Sequence, residues 1–292
     1  MKKRRRRYGD RSDGYKLRTI PAMSKVAVYI MKKRSDSQNK FEDSFDVTET
    51  EKLCREKVKS GKTNFTLLHV LLAAYVRTVS QRPGINRFIS GQKIYARNTI
   101  EVVMAVKKEM TLDAPETMIK VCFEPTDTLD QVYEKFNEVV MQNIGESDDS
   151  SFDKTAEAFT HIPGLFLKFA IWFLNLLDYF GRLPKTLLKV SPFHGSMIIT
   201  SMGSLGIKPI YHHLYDFGNL PVFISYGTKR RVSKPGLLGI PDKRVVVDFK
   251  VVTDERICDG YYYASAFKLF KKYVEDPSRL EAPPETVIED VD

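Results

Sequence analysis

Strand-like and helix-like segments alternate irregularly along this 292-residue chain, and that irregular order is what most narrows its fold. Runs rich in β-branched and aromatic residues predict strands over 41–47, 92–95, 100–106, 118–123, 196–202, 221–226 and 245–252. Helical spacing predicts helices over 48–58, 65–79, 129–144 and 260–274. The second of these opens at Thr63-Asn64 and must stop before Arg82-Pro83-Gly84, because a proline disfavours helix in the residue before it. Most β-branched runs lie in the second half, so the order fits a mixed-sheet α/β or α+β sandwich rather than a regular parallel repeat. The length suits one large domain with a substantial core.

Charge is concentrated at the ends. Of a net charge of +9, six positive charges come from Lys2 to Arg7. This block predicts a solvated tail over 1–16; attraction to anionic lipid or nucleic acid are the other readings. No nucleic-acid-reading motif accompanies it, so no nucleic-acid partner is expected. Residues 276–292 are acidic and proline-containing and predict a second tail outside a single 17–275 domain. Cys54, Cys122 and Cys258 are widely spaced, with no C-x-x-C pair. They make neither a disulfide framework nor a zinc clamp, so the expectation is a reducing, cytoplasmic setting and no metal. No secretory leader follows the basic start. Gly203-Ser-Leu-Gly206 lacks the lysine and spacing of a phosphate loop.

Within 162–192 lies an apolar helical insertion whose polar residues Lys168, Asn175 and Asp178 share one narrow face. It contains the single tryptophan, Trp172, and is too short and interrupted for a membrane span. Three readings stay open: a helix buried at a subunit interface, a wall for an acyl or acceptor group, or a helix lying in a membrane surface.

Immediately after the 245–252 strand the chain reads Asp254-Glu255-Arg256-Ile257-Cys258-Asp259-Gly260. This stretch resembles the D-H-R-x-x-D-G of the acyltransferase subunits of 2-oxo acid dehydrogenase complexes and the H-H-x-x-x-D-G of chloramphenicol acetyltransferase. Three other stretches resemble the same family in the same order. They are Thr63 to Tyr75 with Arg82 to Phe88, Gly91 to Tyr95 with Ile100 to Val106, and Met197 to Gly203. The resemblance spans about Leu17 to Val274. It implies a chloramphenicol acetyltransferase-like two-layer sandwich, a trimer with active sites between subunits, and coenzyme A carrying the acyl group. The dehydrogenase family's lipoyl and subunit-binding domains have no counterpart here. The Asp242-Lys243 pair sits in a loop and is not read as a lipoyl attachment site.

In these families a histidine deprotonates the acceptor, and a Ser or Thr hydroxyl stabilises the tetrahedral oxyanion. The resemblance puts that hydroxyl on Thr200, with Ser201 beside it, and makes Asp259 the organiser of the loop. Without the family, Thr200 and Ser201 read as strand residues and Asp259 as a helix N-cap. The base position holds Glu255. A glutamate has a reference pKa near ~4.3, poorly matched to a thiol near ~8.5. Two unit charges about 4 Å apart at an effective dielectric of about 20 repel by roughly 4 kcal/mol, so an ionised Glu255 opposes a neighbouring oxyanion. The alternative function is a catalytically degenerate relative that binds CoA or a partner, or acts as a scaffold. Auxiliary candidates are His194, just before the Thr200 strand, and Arg256 in the motif, with Arg18 as a partner for Asp259. His212 and His213 read as loop residues, His69 as a core residue, and His161 carries no signal.

Overall fold

The computed structural model describes residues 5–107, 116–145, 161–234 and 242–292. Six strands form one mixed sheet: β2 (Gln38–Asp46), β9 (Asp242–Asp254), β8 (Val222–Lys234), β7 (Met197–Ser201), β5 (Ile100–Lys107) and β6 (Glu116–Phe123), in that spatial order. The three central strands β8, β7 and β5 run parallel, and the outer pairings are antiparallel. A smaller sheet joins β1 (Gly14–Lys16), β4 (Lys93–Arg97) and β3 (Arg87–Ser90).

Strand alternation divides the large sheet's residues between two faces. Ile199, Ile224 and Val251 lie in register and enter the main core with α3 (Leu67–Gln81) and α7 (Gly260–Glu275). The α2 (Thr48–Lys59) and α4 (Leu129–Gly145) helices complete that layer, with Cys54, Leu129, Val132 and Phe136 in the same core. Thirteen of the fifteen α3 residues are buried, which is why its apolar run shows no polar face. On the opposite face Ile198, Phe223 and Val252 pack with Leu214 and Leu220 in a small second cluster. The expected two-layer mixed α/β sandwich is the fold observed.

Both ends depart from the sequence expectation. Arg11, placed in a tail by its basic neighbours, is 4% exposed and pairs with Asp13 and Asp178. Gly14–Lys16 is the edge strand β1, paired with Arg97 to Tyr95. The acidic C-terminus packs as a strap along the domain: Leu280 is buried, Ile288 donates its N–H to the Ser80 carbonyl, and Asp290 binds Arg87 in a bidentate pair. Its acids meet guanidinium groups of the domain, which composition alone does not reveal. The α1 helix (Ala22–Ile30) is absent from the sequence reading, and the 162–192 insertion contains a second, short helix, α6 (Lys185–Val190). Both are short and open after a proline, Pro21 and Pro184.

Candidate functional site

Thr200 sits on β7 in a row that crosses the sheet: Thr200 opposite Ser225, Ser225 opposite Lys250, Lys250 opposite Glu42. Residues in one row share a face, here the one away from the main helices. The loop after β7 covers part of that face. Ile210 donates its N–H to Ser225 Oγ at 3.3 Å, the Lys250 ammonium lies 4.5 Å from the Tyr211 ring centre, and His212 stacks on Phe223. Thr200 itself is half-buried. Ser201 begins the turn out of β7, its Oγ accepting the Ser204 N–H and its carbonyl accepting the Ser204 hydroxyl. That turn requires Gly203, because a Cβ there would stand 2.5 Å from the Gly227 carbonyl oxygen on β8.

The Asp254–Gly260 loop lies beyond the end of β9 and is built around a buried carboxylate. Asp254 accepts Arg256 Nε at 2.8 Å and Nη2 at 2.7 Å, the Ser37 hydroxyl at 3.1 Å, and lies 3.4 Å from Arg34 Nε. All three charged residues are buried. Burial pushes the Arg34 guanidinium below its ordinary pKa, and the Asp254 charge opposes that. The second hydrogen-bonding shell is backbone: Arg256 donates to the Met31 carbonyl, Arg34 to those of Tyr215 and Gly218, and the Tyr263 hydroxyl to that of Asp254. Among Val251 to Cys258 only Glu255 is exposed, on a backbone fixed by its N–H bond to the Ser37 carbonyl at 2.8 Å. The first half of the loop is thus a pedestal for the Glu255 carboxylate.

Asp259 caps α7, its Oδ1 accepting the Tyr262 N–H at 2.8 Å. The buried ion pairs of the loop are those of Asp254 with Arg34 and Arg256. Arg18, considered as the partner of Asp259, pairs with Asp10 at 2.9 Å. Asp254 and Arg34 as a pair were not legible in the sequence, since they are far apart in it and meet only where β2 lies against β9.

His194 belongs to a third cluster. Its Nδ1 lies 2.8 Å from Ser191 Oγ, and its Nε2 3.8 Å from Asp178 of α5 (Gly164–Tyr179). Burial pushes the His194 ring below its ordinary pKa. Burial opposes ionisation of Asp178, yet His194 and the Arg11 guanidinium beside it hold that carboxyl well below the usual range. The cluster is largely buried and fastens α5 to the domain. His69 is buried in α3, its Nδ1 accepting the Thr66 N–H at 3.0 Å.

One chain does not bring these candidates together. Thr200 is in register with Lys250, five residues before Glu255, so at about 3.4 Å per residue and about 4.8 Å per strand the two lie roughly 20 Å apart. Among the described residues, no group of three or more His, Cys, Asp or Glu side chains is arranged to hold a metal.

No family model matches the sequence, and no curated protein matches it. Solved structures do resemble it. A probable dihydrolipoamide acetyltransferase from Listeria monocytogenes has a TM-score of 0.53 at 15% identity, covering 90% of this chain and 95% of that one. The dihydrolipoamide acetyltransferase of Azotobacter vinelandii gives 0.52 at 14%, covering 91% and 94%. A chloramphenicol acetyltransferase gives 0.54 at 14%, covering 89% and 98%. Across nearly its whole length, the chain therefore has the fold of the dihydrolipoamide and chloramphenicol acetyltransferases.

Proposed function

We propose that this protein is an acyl-transfer domain that takes its acyl group from a CoA thioester and works as a trimer, without a lipoyl domain. In this reading, Glu255 of one copy faces Thr200 of the next. The observation that carries the reading is the pedestal: three buried charged residues and a set of backbone hydrogen bonds hold the loop so that, between Asp254 and Cys258, Glu255 alone is exposed. The distance between Thr200 and Glu255 within a chain supports a site completed by a neighbour.

The acceptor's thiol or hydroxyl loses its proton to the base position, its sulfur or oxygen attacks the thioester carbonyl, and CoA leaves as the thiolate that takes up a proton. Thr200 donates its hydroxyl hydrogen to the oxyanion that forms in between. Asp254, Arg34 and Arg256 are positioning residues, acting through the loop they hold. With Glu255 as base, transfer is slow, because its charge opposes the oxyanion by roughly 4 kcal/mol at about 4 Å and an effective dielectric of about 20.

The degenerate relative that only binds CoA is favoured by the same exposed Glu255 in a histidine's place. Two measurements separate the readings. Calorimetric titration with CoA should show binding under both, and no binding removes both. Release of free CoA from acetyl-CoA, followed with small thiol and alcohol acceptors, should then rise on Glu255→His by ~10²-fold or more, the usual range for a well-matched general base. Thr200→Val should lower the rate of the His variant by ~10²-fold. A wild type that turns over briskly and is silenced by Glu255→His would give Glu255 a chemistry of its own.

A further inference from the structure

The α5 helix has two apolar sides, and the domain uses only one. Leu167, Ala170, Leu174 and Leu177 are its half-buried row, continued by Asp178 in the Arg11 and His194 cluster. The opposite row is Phe166, Phe169, Trp172, Phe173, Leu176 and Phe180, between 37% and 65% exposed. Phe169 already lies against Trp172 and Phe173, with ring centres 5.6 and 6.4 Å away. The end of the helix is pinned: Ser90 donates to the Asp178 carbonyl at 2.8 Å, and the Tyr179 hydroxyl donates to Gln92 at 3.1 Å. Gly91 lets the β3–β4 turn pass there, since a Cβ would stand 2.3 Å from the Tyr179 carbonyl oxygen.

A second exposed apolar row belongs to α1, with Met23, Val26 and Ile30 at helical spacing. Between α1 and the same β3–β4 turn runs a cleft with Leu17 and Val28 in its wall and Lys16, Arg18, Lys25 and Lys93 as its charged lining, with no acidic residue. The ionisable side chains within both segments are nearly all of one sign. Residues 16–33 carry five basic side chains, of which Arg18 is paired with Asp10, and no acid; residues 161–190 carry four basic side chains, against Asp178, which Arg11 already neutralises.

We propose that this face seats the protein on an anionic lipid surface, with α5 lying in the interface plane. Aromatic side chains enter the boundary between headgroups and acyl chains, and the lysines and arginines meet the lipid phosphates. Charge decides between a bilayer and a second copy of this chain. Two copies meeting face to face through this patch would oppose like charges, whereas an anionic bilayer complements both its apolar row and its basic surround. No helix among the described residues is long and apolar enough to cross a membrane, so α5 lies on the surface.

Trp172 is the single tryptophan, so its emission reports this helix alone. The full chain should co-sediment with vesicles of phosphatidylcholine and phosphatidylserine, but not with pure phosphatidylcholine. Binding should be accompanied by a blue shift of Trp172 emission and should fall at least tenfold between 50 and 500 mM salt, over which the Debye length shortens about threefold. F169E/F173E, altering exposed side chains that leave Trp172 in place, should lose binding at least tenfold, and so should K185E/K189E. No sedimentation and no shift at low salt would overturn the proposal. So would emission already blue in free protein and unchanged by vesicles, with F169E/F173E instead splitting the oligomer, because α5 would then be covered by another copy.

Discussion

At the scale of single residues, the geometry separates two acids that look alike in the motif. Asp254 is fully buried and holds two guanidinium groups, whereas Asp259 is exposed and needs only the Tyr262 N–H. Removing the buried carboxylate leaves Arg34 and Arg256 unpaired away from water. Asp254→Ala is therefore expected to cost about 3–5 kcal/mol of unfolding free energy, as for other broken buried pairs. Denaturant unfolding checks this: a loss under ~1 kcal/mol would mean that water reaches the site and that the loop is no pedestal. Asp259→Ala removes one cap hydrogen bond and should cost only about 1 kcal/mol.

Among the elements, α3 carries a pH response that its sequence pattern does not announce. Burial pushes the His69 ring from 6.5 down to about 4, and the Thr66 N–H donated to Nδ1 also favours the neutral ring. The neutral ring is the native form. Its contribution is complete above the unfolded value of 6.5 and is lost as pH falls toward the folded value of about 4. A shift of that size corresponds to about 3 kcal/mol at roughly 1.36 kcal/mol per unit. His194 acts in the same direction, since its ring too is pushed down by burial. His69→Gln keeps a side chain able to cap at the same helical position but cannot titrate. Unfolding free energies measured from pH 7 to pH 4 should fall less steeply in this variant than in wild type. Equal slopes would mean that acid lability arises elsewhere.

For the whole molecule, the proposed site requires more than one chain, because Thr200 and Glu255 stand on different parts of one sheet. Light scattering is expected to give a particle near three times the 33.6 kDa chain mass. A monomer across micromolar concentrations would leave each site half-built and remove the shared-site reading. The sequence by itself determined most of the elements that pack this domain: strands and helices whose side-chain period matches a buried face, such as 100–106, 129–144 and 245–252, were legible because that periodicity is local. It also showed the loop that carries Glu255, since a strand, a tight motif and an N-capping aspartate followed one another without interruption. Tertiary structure decided what depends on partners distant in sequence. It drew Arg11 and the acidic C-terminus out of apparent tails by setting them against Asp178 and Arg87. It chose Asp254 over Asp259 as the buried anion by bringing Arg34 beside it. It left one apolar row of α5 exposed, because periodicity shows that a helix has apolar sides, while only the packing of the rest of the chain determines which of them is covered.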